Sequence, residues 1–139
     1  MRMRTSLLAA AIGTLLAALP VWAHHAFAAE FDAKQPVTLR GKVSKVEFIN
    51  PHSWVHVDVR GDDGKTITWM IEGGSPNTLF RRGVTQASLA LGTEVVVDGY
   101  RAKDGSFKAN GRDITLTDGK KLFLGSSTGE GAPYQEKGK

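Results

Sequence analysis

The chain has 139 residues, enough for one domain, and no cysteine, which excludes a disulfide framework and a thiol nucleophile. Its net charge is +4, from 18 basic and 14 acidic residues; without Arg2 and Arg4 the excess is only +2, spread along the chain. So mild an imbalance argues against nucleic acid as a partner.

Met1 to Ala23 has the parts of a secretory signal: Arg2 and Arg4, an apolar run from Leu7 to Leu19, then Pro20. The run is shorter than the roughly 20 residues a membrane span needs. Cleavage is expected after Ala23, close to the end of the run; a second acceptable site follows Ala28 and would remove His24 and His25. No second hydrophobic stretch follows, and no cysteine is available for a lipid anchor. The expectation is a periplasmic or secreted protein, soluble and monomeric.

Residues 24–34 form a lead-in, with Phe27 and Phe31 as candidate anchors, before a domain at 35–124. Val37, Leu39, Gly41 and Val43 alternate with polar residues, as in a strand. The phase then slips to Val46 and Phe48, which predicts a bulge near Ser44 and Lys45. After Asn50-Pro51, Ser53 to Arg60 and Thr66 to Glu72 read as a hairpin around Asp62-Asp63-Gly64. Val55, Val57 and Val59 share one face of it; Trp54, His56, Met70 and Glu72 share the other.

Ser75 suits an N-cap, Pro76 the first helical position and Gly83 the left-handed residue past the end, so Pro76 to Arg82 is expected as a short helix. Thr85 to Leu89 adds a turn. Thr93 to Arg101 and Gly111 to Thr117 read as strands, and Lys120 to Leu124 as a short arm. Residues 125–139 read as a disordered tail. The expected class is mostly β: a small five-stranded oligonucleotide/oligosaccharide-binding (OB-like) barrel with one short helix between strands 3 and 4. A β-sandwich is the rival, but it usually wants about seven strands.

Two constellations bear on function. If cleavage leaves His24 first, its amine and imidazole can chelate one ion, and His25 can bind through the amine and an intervening amide. Such nitrogen-rich sets suit Cu(II), making copper the candidate metal. Paired histidines near a terminus also bind such ions adventitiously. A third ligand would come from the domain, with His52 the candidate. His52 and His56 lie about 13 Å apart on a straight strand, too far to share an ion. The alternative role for His52 is to cap a turn. The second constellation is Trp54, His56 and Met70, a candidate face for a stacked sugar, peptide or base; ordinary cross-strand packing explains the same residues. No elbow motif, metalloprotease helix or spaced carboxylate pair is present, so an enzyme is not expected. The expectation is a non-enzymatic domain that binds an unknown ligand or an envelope protein, with a protein- or glycan-binding module or a structural envelope protein as the alternatives.

The stretches HHAFAAEFD (24–32), VEFINPH (46–52), EGGSPNTLFRRG (72–83) and GYRAKDGS (99–106) resemble those of a group of secreted bacterial proteins, a domain of unknown function, family 6152. The resemblance covers nearly the whole chain after the leader. It implies a small exported β-rich domain and no activity. His24, His25, Asn50, Pro51 and His52 fall within the matching stretches.

Overall fold

A computed structural model describes residues 27–125. The expected leader, the His24-His25 pair and residues 126–139 lie outside them. Six strands and a helix make up the domain: β1 (Phe31–Glu47), β2 (Trp54–Arg60), β3 (Thr66–Glu72), α1 (Pro76–Arg81), β4 (Glu94–Ala102), β5 (Lys108–Leu116) and β6 (Lys121–Phe123). Residues 27–30 are helical and run directly into β1. Among the described residues no helix is long and apolar enough to cross a membrane.

The strands form one mostly antiparallel sheet in the order β3-β2-β1-β4-β5-β6, with an additional parallel pairing between β3 and β5. The 17-residue β1 serves two neighbours: Pro36 to Lys42 pair with β4, and Lys42 to Glu47 pair with β2. The handover needs Gly41, because a Cβ there would stand 2.2 Å from the Asp58 carbonyl oxygen of β2. The register shifts between Val43 and Lys45, so the apolar phase slip in the sequence is a bulge. It turns both Val43 and Val46 into the core.

The β2–β3 hairpin pairs Trp54 with Glu72, His56 with Met70 and Asp58 with Thr68. Val55, Val57, Trp69 and Ile71 point the other way and are buried. They meet Val43, Leu79, Val84, Leu89, Val97, Ile114 and Leu122 in a single core. α1 starts where expected: the Ser75 hydroxyl accepts from the Thr78 amide, and Gly83 has φ 79°. Thr85 to Leu89 closes a turn through a Leu89 N–H to Thr85 C=O bond of 3.1 Å.

Three elements differ from the sequence expectation. β1 begins at Phe31, because Phe31 pairs with Ala102 and packs with Phe27 and Tyr100 in a second buried cluster. β5 begins at Lys108, because Lys108 to Asn110 pair in parallel with Met70 to Glu72. β6 pairs with Asp113 to Thr115 and makes the sheet six-stranded instead of five. The first two differences come from partners distant in sequence; β6 is the expected short arm, a local hairpin with β5 that counts as a sixth strand.

Candidate functional site

The strand alternation that buries Val55 and Ile71 turns the opposite face of β2, β3 and β5 outward. Across it run two rows of register partners: Trp54, Glu72 and Asn110, and below them His56, Met70 and Lys108. Glu47 of β1 lies opposite Trp54, and Lys45 opposite His56.

His52 sits in the connection after the cis Asn50-Pro51 bond. The backbone of its neighbour Ser53 is tied to the end of β3: Ser53 N–H donates to Gly74 C=O at 3.0 Å, and Gly73 N–H donates to Ser53 C=O at 2.8 Å. These bonds set His52 beside Glu72, and His52 Nδ1 pairs with Glu72 Oε1. Glu72 is only 6% exposed and is also hydrogen-bonded by the Asn110 side chain. Burial pushes the Glu72 carboxyl above its ordinary value. The His52 ring opposes that push, and the nearby Glu30 carboxylate adds to it. Glu30, on the helical turn ahead of β1, also lies 3.9 Å from Lys108 Nζ. Its backbone is fixed by a 2.9 Å bond from Lys103 N–H to Glu30 C=O.

His56 has a carboxylate of its own: its Nε2 lies 2.7 Å from Glu47 Oε2, and Lys45 Nζ lies 2.7 Å from Glu47 Oε1. The Lys45 ammonium, then the His56 ring, hold the Glu47 carboxyl below its ordinary value. The two histidines thus belong to separate carboxylate pairs, with half-buried Trp54 opposite both glutamates in register. Met70 is half-buried beside His56.

The structure therefore brings the candidate metal ligand His52 and the candidate stacking residues Trp54, His56 and Met70 onto one face, joined through Glu72. The other two candidate ligands, His24 and His25, lie outside the described residues. Among the described residues no group of three or more His, Cys, Asp or Glu is arranged to hold a metal ion. Chemically, the face offers two imidazole–carboxylate pairs, an indole and a thioether. Sequence reasoning placed Glu72 on this face but missed its pairing with His52. It also missed Glu47, Asn110 and Glu30; Glu47 alone carried a usable signal, through the β1–β2 register.

Comparison with known protein families matches residues 13–111 to the Family of unknown function (DUF6152). No curated protein matches the chain, and no solved structure does.

Proposed function

The chain belongs to the family of unknown function DUF6152, and on that premise we propose that it is an exported, non-enzymatic ligand-binding domain. In this reading residues 1–23 are a cleaved signal, the mature chain is a periplasmic or secreted monomer, and the ligand is Cu(II), held by His24, His25 and His52. The fold is read as an OB-like barrel with β6 as an added arm. The support is the ring of pairings from β1 to β2, β3, β5, β4 and back to β1, with β3 and β5 parallel.

One observation carries the metal reading. His52 is oriented by the buried Glu72 carboxylate, and the element that follows the His24-His25 pair brings Glu30 close enough to raise the pKa of that same carboxyl. Phe27 is packed against Phe31 and Tyr100, with ring centroids 5.8 and 5.9 Å away. A carboxylate paired with an imidazole is the arrangement that orients a ligating histidine and raises its basicity. Two carboxylates near one buried point also favour a cation there.

The test is native mass spectrometry of protein exported by its own signal and purified without added metal. A mass starting at His24 with one copper retained is the expected result, and His52→Ala should lose the copper. A mass starting at Ala29 ends the proposal. The second reading is a protein- or glycan-binding face formed by Trp54, His56 and Met70, favoured by the position of Trp54 opposite Glu47 and Glu72. There Trp54→Ala would abolish ligand capture and leave copper binding unchanged.

A further inference from the structure

Away from the Trp54–His56–Met70 face, an open groove of about 860 Å³ is lined by parts of β1, β2, β4 and β5 and the start of β3. Arg40, Lys42 and Arg60 line it, with Thr66, Thr115 and Thr117. The β1–β2 register ends where Lys42 pairs with Asp58, and Arg40 and Arg60 stand just beyond that end on the two strands, both lining the groove. Like charges that share one groove repel, and an anionic ligand relieves that repulsion. The acidic residues of the groove are engaged by partners other than Arg40 and Arg60. Asp58 accepts a 2.6 Å hydrogen bond from Thr68, and Glu94 pairs with Lys42 at 3.6 Å. Among the described residues, Arg40 and Arg60 have no ion-pair partner, and both are exposed.

We propose that this groove binds an extended acidic peptide segment of a partner protein. A planar guanidinium offers a fork of donors that matches a carboxylate, and two forks on adjacent strands fit carboxylates spaced along one chain. The threonine hydroxyls provide donors and acceptors for peptide groups between them. Among the described residues no aromatic side chain lines the groove, so they provide no platform for a nucleobase or a sugar ring. Asp58 and Glu94 repel a ligand charged at every unit but tolerate a peptide whose carboxylates are spaced.

The full-length protein should bind a fluorescein-labelled peptide of alternating glutamate and glycine saturably, as read by fluorescence anisotropy, with affinity falling as salt rises. Arg40→Gln and Arg60→Gln should each weaken binding by about tenfold, the scale of one charge-assisted bond. Arg81→Gln, on the exposed end of α1, should change it by less than about twofold. Circular dichroism checks that the variants are folded. Absence of saturable binding overturns the proposal, and so does an equal loss from Arg81→Gln, which would mean diffuse charge attraction. Tighter binding of a uronic-acid oligosaccharide overturns the assignment to peptide.

Discussion

Gly99 shows how narrow the tolerances are beside the candidate face. A Cβ there would lie 2.3 Å from the Asn110 carbonyl oxygen, at the bulge where Gly99 pairs with Gly111. The obstacle is backbone and cannot rotate away. Gly99→Ala should therefore cost about 2–3 kcal/mol, measured by urea unfolding. Because Asn110 supports Glu72, the proposed copper site should be weakened as well. Glu47 makes a different prediction. Lys45 and His56 lower its pKa in the folded state below the ordinary 4.5. A carboxyl with a lowered folded pKa stabilises the fold above its unfolded pKa, and that stabilisation is lost as pH falls through the folded value. The gap in urea midpoint between the native chain and Glu47→Gln should therefore be present at neutral pH and close as the pH drops below about 4.5. A gap that persists in acid would mean that Glu47 contributes by packing and not by charge.

At the scale of elements, α1 depends on its cap. Six residues form too short a helix to persist without tertiary contacts, and Ser75 satisfies one of its free amides. Ser75→Ala should lower stability by about 1 kcal/mol, read from the thermal unfolding midpoint. This cap, the β2–β3 hairpin and the β1 bulge were legible in the sequence because their signals are local: a turn dipeptide, an alternation, a slip of one residue. The beginnings of β1 and β5 were not, since Phe31 answers to Ala102 and Lys108 to Met70. The candidate site divides the same way. His52, Trp54, His56 and Met70 stood out by type and spacing, and Trp54, His56 and Met70 by shared face. What joins His52 to them is Glu72, 20 positions away, brought there by the Ser53–Gly74 bonds, which no periodicity announces.

Across the whole molecule the pairings are unequal. β1 and β4 share eight register pairs, whereas β3 and β5 share three, aided by the bond from Met70 N–H to Phe107 C=O at 2.9 Å. Local opening should concentrate where the fewest bonds hold. Hydrogen exchange should be at least about tenfold faster for the amides of the β3–β5 seam than for Leu39 and Val97. A copper ion held near Glu72 should slow the seam selectively.

The double duty of β1 bears finally on how the chain comes to be folded. A ribosome releases this strand first, yet its partner on one side lies far downstream: Thr38 bonds to Asp98, 60 positions later. Through that interval the strand waits with a bare hydrogen-bonding edge, which in a neighbouring nascent chain would find an identical template. Lys34, Arg40, Lys42 and Lys45, all exposed, put like charge along it. Two such strands repel before they can zip together, so Arg40 and Lys42, which border the groove in the finished protein, also set charge against self-pairing in the unfinished one.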